Sequence, residues 1–403
     1  MIDVSKSSLS HKLKAFLPYI IIFFFLFDFI TKALIIYTNN FPFYRFGALI
    51  KGLFLIAIFY IAVRTKISHL RVFFNYSIAL ITVFLVSFLF FNTSISDDDF
   101  YFNFYYLIKY IYPLLFLTLL PTLNKNDISL AIRMFTIFIA VNSALIIIGG
   151  VFEIDLFRSY YGGPRFGYLG LLLYHAEAGY IYFLAIMIIY HNVKEKKGKY
   201  NWLVALLCWS SMFMVGTKKS IGLALLFFLF VIVDNRQFII KKYKASLVFF
   251  LSGIGLVIYF NQEILNSLSL KFKLLLDVYN KEGLITTFFS YRNENLISKI
   301  FPYIEENWSL INWFLGGPSF KNYRVELELV DLFLFFGIFG IVIYSLVFIK
   351  IKNLFNSKYF TFLTITLLLA SFISGNFLAS INSFIIYIFT ILYLIKPNQH
   401  KID

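Results

Sequence analysis

The chain has 403 residues, of which 60% are hydrophobic, 21% aromatic and 14% charged. Soluble domains carry about 45–50% apolar and about 25% charged residues, so a water-soluble globular protein is excluded. In a soluble chain the formal charge of +15 would point to nucleic acid. Here the Lys/Arg excess that orients spans in a bilayer accounts for it, and no nucleic-acid partner is expected. The single cysteine, Cys208, lies inside an apolar run and the five histidines are scattered. No disulfide, metal site or other cofactor is therefore expected.

A membrane-crossing helix needs about 20 apolar residues. Cutting the apolar runs at polar breaks predicts about twelve spans, at residues 16–36, 48–63, 72–91, 104–120, 130–151, 171–190, 202–215, 221–233, 246–260, 329–349, 360–378 and 381–395. The first run is too long and too weakly flanked for a cleaved signal peptide, so it is expected to be retained. Lys12, Arg64, Lys66, Lys196, Lys197, Arg236, Lys242, Lys350 and Lys396 then share one side. That side, with both termini, is expected to be cytoplasmic. The predicted fold is all-α and polytopic, with residues 1–403 as one integral membrane domain.

Two outer segments exceed a tight turn, residues 152–170 and 261–328. Long connections without structure are uncommon unless functional. Ile264, Leu268, Phe272, Leu275 and Tyr279 recur at helical spacing in the second. It is therefore predicted to form helices at the outer interface, with Trp308 and Trp313 as belt residues.

Ionisable groups inside spans usually face a cavity or a partner. Asp28, Lys32, Lys51, Lys109 and Glu177 all fall in the outer halves of their predicted spans. Asp28 and Lys32 can pair at i,i+4 and Lys51 can snorkel. Together they predict a basic cavity opening outward, suited to a membrane-anchored anion such as a lipid pyrophosphate. A transporter would instead place such groups near the midplane.

Gly162-Gly163-Pro164-Arg165 precedes His175 and Glu177. The glycines permit close backbone approach, and Arg165 offers a fork for phosphate. Lys218 and Lys219 occupy the outer turn after the seventh run. The long segment carries Tyr291, Arg292, Gly316 and Gly317, then Arg324, Glu326, Glu328 and Asp331, with Gly337 and Gly340 following. A carboxylate at a lipid–water boundary can act as a general base on a sugar hydroxyl. Acids at a helix start also serve as caps, the plainer reading for Glu328.

In this order of elements the chain resembles the O-antigen polymerase (Wzy) family of bacterial surface-polysaccharide assembly. Four local matches carry the resemblance: Gly-Gly-Pro-Arg with His175-x-x-x-Gly179, the turn 216–220, Arg292 followed by Gly316-Gly317, and Glu326-x-Glu328-x-x-Asp331 with Gly337. It implies a GT-C-like fold in the bacterial inner membrane with two functional periplasmic loops. It also implies transfer of undecaprenyl-pyrophosphate-linked oligosaccharide onto another lipid-linked repeat unit, inverting and without metal, with membrane lipid and a chain-length regulator protein as further partners. Arg165 and Arg292 would hold pyrophosphate, aided by His175, Lys218, Lys219, Arg324 and Tyr291. Glu326 or Asp331 would be the base. Relatives often carry Ser-Arg where this chain has Lys218-Lys219. The related O-antigen ligases, which transfer polymer to lipid A core, tend to carry a histidine near Glu326. Ligase and lipid-linked oligosaccharide flippase are the alternatives.

Overall fold

A computed structural model of the chain describes residues 16–38, 46–64, 68–91, 97–120, 123–160, 166–198, 200–235, 262–317, 320–355 and 357–394. They form helices joined by turns, with no strand among the described residues. In chain order the helices are α1 (Ile20–Thr38), α2 (Phe46–Arg64), α3 (Ser68–Phe91), α4 (Asp97–Leu117), α5 (Lys125–Val151), α6 (His175–Lys194), α7 (Asn201–Met214) and α8 (Lys218–Asp234). There follow α9 (Gln262–Phe289), α10 (Arg292–Asn295), α11 (Phe301–Asn307), α12 (Leu310–Leu315), α13 (Phe320–Tyr323), α14 (Glu328–Leu354), α15 (Lys358–Ser374) and α16 (Ile381–Leu394).

Six of these, α1, α2, α3, α5, α6 and α14, are long and apolar enough to cross a membrane. Helices α7, α15 and α16 are apolar but shorter. Every expected apolar run coincides with a helix except 246–260, which lies outside the described residues. Of the boundaries that differ from the sequence reading, two have clear local reasons. The sixth helix begins at His175 rather than 171, because residues 169–172 turn first and the Leu171 N–H is held by Asn142 Oδ1 at 2.6 Å. The eleventh ends at Ser374 rather than 378, where Gly375 adopts φ +58° and ψ −174°, a non-helical conformation open to glycine. The long segment is helical, as its periodicity predicts, with a break in α9 at Gly283. Among the residues that carry that period, the side chain of Tyr279 is described and is half exposed.

The chain divides into two compact units. One comprises Ile21–Ala48 and Ile132–Asn280. In it α6 packs against α7 and α8. Its residues 177–189 are all buried, the pattern of a helix surrounded by other helices. Phe25 of α1 stacks on Phe138 of α5 at 4.5 Å and 5°. Buried Asn142 donates to Tyr182 Oη at 2.8 Å and to Leu169 O at 3.2 Å, so one amide holds α5, α6 and the turn that leads into α6.

The other unit comprises Met1–Ile20, Leu49–Ala131 and Lys281–Asp403. Helix α4 packs on α3 and α16, and α14 packs on α3, α12 and α15. Tyr344 Oη on α14 donates to Tyr110 O at 2.6 Å, and Phe335 stacks on Phe84 at 5.6 Å. Helix α14 breaks at Gly337, φ +62°. At the break α12 crosses so closely that a Cβ on Gly337 would lie 2.3 Å from Phe314 O, and one on Gly316 would lie 2.6 Å from Leu334 O. The Gly317 N–H donates to Leu334 O at 3.1 Å, a carbonyl the broken helix leaves open. These two glycines therefore fix where the long segment returns to α14.

Gly337→Ala should lower the thermal midpoint of the purified protein, since backbone at φ +62° and ψ −157° is essentially glycine-only and costs another residue about 1–3 kcal/mol before the clash with Phe314 is counted. Gly222→Ala in α8, where an added Cβ meets nothing within 4 Å, should leave the midpoint unchanged or raise it by the roughly 0.5–1 kcal/mol that Ala gains over Gly in a helix. Equal midpoints for Gly337→Ala and the parent would contradict the close crossing.

Candidate functional site

Residues 324–327, between α13 and α14, are not helical, so their backbone N–H groups need partners other than helical carbonyls. The Asp331 carboxylate, one turn into α14, supplies them. Its Oδ1 accepts the Val325 N–H at 2.8 Å, and its two oxygens accept the Glu326 N–H at 3.2 and 3.1 Å. Asp331 is 2% exposed and its Oδ2 lies 3.4 Å from Arg324 Nε. Arg324 also places its guanidinium 4.9 Å over the Tyr106 ring and donates to Asn376 Oδ1. Burial opposes the charge on Arg324, but Tyr106, Asp331 and Glu326 outweigh it and hold its pKa above the ordinary value. Arg324 is thus a permanent cation built into the wall.

This clamp forces Glu326 into φ +64°, an uncommon backbone state for a side-chain-bearing residue. Gly375 packs on the same point, where its missing Cβ would lie 2.6 Å from Glu326 O. Glu328, buried in the first turn of α14, accepts the Phe377 N–H at 2.6 Å and the Ala379 N–H at 3.2 Å. It stands in the first turn of its helix, where the sequence reading puts it, and its carboxylate also pins the 375–380 turn. Two carboxylates three residues apart therefore tie two chain segments to one helix end.

The Glu326 side chain is 48% exposed, and its Oε2 lies 2.8 Å from Arg292 Nη2. Its Oε1 lies 3.9 Å from Arg324 Nη1. Arg292 follows two successive left-handed residues, Ser290 (φ +55°) and Tyr291 (φ +66°), which turn the chain between α9 and α10. Its Nη1 donates to Phe289 O at 3.3 Å, and its Nε is buried without a hydrogen-bond partner among the described residues.

Four expected site residues, Arg292, Arg324, Glu326 and Asp331, therefore meet in one cluster, with half-exposed Tyr291 beside it. His175, Lys218 and Lys219 belong to the other unit. There, His175 is the first residue of α6 and its ring lies 4.9 Å from that of Tyr160. Lys218 opens α8 on the surface. Lys219 is buried, donates to Ala176 O at 2.5 Å and sits 4.0 Å over the Tyr180 ring. Arg165, with Gly162, Gly163 and Pro164, lies outside the described residues. Of the charges inside spans, Asp28, Lys32, Lys51 and Glu177 are buried, and Lys32 Nζ donates to Gly170 O at 2.7 Å. Lys109 lies 4.4 Å over the Tyr105 ring. Among the described residues no group of three or more His, Cys, Asp or Glu side chains is placed to hold a metal ion.

Asn376 and Gly375 escaped the sequence reading, although Gly-Asn after an apolar run is a turn signal. Tyr106 carries no signal of its own among so many aromatic residues.

No protein-family model, curated protein or solved structure matches this chain.

Asp331→Ala would strand a buried guanidinium and two backbone donors, a loss of about 3–5 kcal/mol. Glu326→Ala removes a half-exposed partner and should cost about 1 kcal/mol or less. Denaturation of the purified variants should rank them in that order; equal losses would contradict the clamp.

Proposed function

We propose that this chain is a membrane glycosyltransferase that joins lipid-pyrophosphate-linked oligosaccharide units into a surface polysaccharide, as the O-antigen polymerase family does. The observation that supports it is the cluster in which Glu326, half exposed, meets two arginines above a fully hydrogen-bonded buried carboxylate. A base and cations fixed side by side are what glycosyl transfer from a pyrophosphate carrier requires. The apolar helices α1, α2, α3, α5, α6 and α14 suit a lipid-linked substrate.

In the proposed step an acceptor sugar hydroxyl gives its proton to a Glu326 oxygen. The hydroxyl oxygen bonds to the anomeric carbon of the donor while the bond from that carbon to the pyrophosphate oxygen breaks. The electron pair leaves on the pyrophosphate, whose charge Arg292 and the rim of Arg324 offset. Attack from the face opposite the leaving group inverts the anomeric configuration. Asp331 was the other candidate base. With its oxygens engaged by Val325, Glu326 and Arg324, its part in this proposal is to position Glu326. The cluster sits on the outer, periplasmic side in a twelve-span arrangement with both termini inside.

In cells lacking their own polymerase, Glu326→Gln should abolish the polysaccharide ladder, since loss of a general base typically costs about 10²–10⁴ in rate. Arg292→Ala should cost about 10²–10³. Single-repeat product should remain in both. Full-length polymer from Glu326→Gln at normal protein abundance would contradict the assignment.

A further inference from the structure

We infer that the Arg292–Glu326 pair is a latch that keeps the carboxylate occupied until a pyrophosphate-bearing ligand draws Arg292 away. The inference rests on the glycosyltransferase reading for the identity of the ligand. Its geometry stands on the site alone.

The two partners are held very differently. Glu326 is fixed through its backbone: its N–H is captured by both Asp331 oxygens, its φ is +64°, and Gly375 packs on its carbonyl. Arg292 hangs from the Ser290–Tyr291 turn, two successive residues in the left-handed region. Non-glycine residues held there persist only while their surroundings impose them, and such strain gathers at switch regions. Its other side-chain tie among the described residues is one backbone carbonyl at 3.3 Å, and its buried Nε lacks a hydrogen-bond partner there. A buried donor left unmade is costly and favours any ligand that satisfies it.

A carboxylate oxygen 2.8 Å from a guanidinium cannot at the same time accept a proton from a hydroxyl in the direction the arginine fills. Phosphate groups compete for arginine because the fork binds two of their oxygens at once. When Arg292 turns to such a group, Glu326 Oε2 loses its 2.8 Å partner. Arg324, tied to Asp331 and Asn376, stays behind as a fixed charge. The order of events follows: donor first, base second. An acceptor hydroxyl, or water, arriving at the empty site meets Glu326 Oε2 already engaged by Arg292.

The test uses the full-length protein in detergent micelles, with a water-soluble carbodiimide and glycine ethyl ester as the probe of Glu326. Labelling is read by peptide mass spectrometry. Inorganic pyrophosphate and farnesyl pyrophosphate are each compared with sodium chloride at matched ionic strength. Labelling of Glu326 should rise about two- to fivefold with pyrophosphate, the size of a half-exposed ion pair. It should rise as much in Arg292→Gln without ligand, with no further increase when ligand is added. A rise with farnesyl pyrophosphate alone would assign the latch to a lipid-anchored ligand. Flat labelling in the parent across all additions would overturn the latch, and this arm needs no variant to fold. Should labelling stay flat while polymer still depends on Arg292 and Glu326, the latch alone falls. Should labelling respond in a protein that makes no polymer, the latch stands and the glycosyltransferase reading falls.

Discussion

The arrangement around Glu326 depends on a buried carboxylate that is never left unmatched. Asp331 sits in apolar surroundings where an unpaired charge would be prohibitive. It is tolerable because two backbone N–H groups and the Arg324 guanidinium converge on it. The same contacts answer the needs of the non-helical segment before α14, whose N–H groups have no helix to bond. Each side of the clamp solves the other's desolvation problem, and the by-product is a glutamate displayed at a fixed angle. Buried ionic groups of this kind add little net stability, but removing one partner is severe. That asymmetry suits a site whose geometry matters more than its contribution to folding.

Close backbone approach is the second constraint. Gly375 against Glu326, and Gly316 against the kink at Gly337, bring three chain segments nearer than any Cβ would permit. The break in α14 also frees Leu334 O for the Gly317 N–H. The long segment is thereby fastened to α14 at its far end, while Arg292, 24 residues before Gly316 in the chain, reaches back to Glu326.

Much of this was legible in the sequence. Apolar run length marked the helices, because a bilayer-length element needs little beyond composition to declare itself. Helical spacing through residues 264–279 exposed the ordered nature of the long segment. Arg292, Arg324, Glu326 and Asp331 stood out because charge is rare in this chain. The division of labour among them was not legible. Glu326 and Asp331 are chemically alike, and which one is engaged by backbone N–H groups depends on a left-handed turn no pattern announces. Glu328 looked like a helix cap because spacing shows the helix it begins, not the 375–380 turn it reaches.

If Glu326 serves the proposed glycosyl transfer, its cluster must meet water on the outer side of the membrane. Asn295, exposed at the end of α10 and three residues from Arg292, reports on that directly, and buried Cys208 leaves a low background. In spheroplasts, a membrane-impermeant maleimide should label Asn295→Cys without permeabilisation, whereas Lys197→Cys should label only after it. Labelling of Asn295→Cys solely from the inner side would contradict the account.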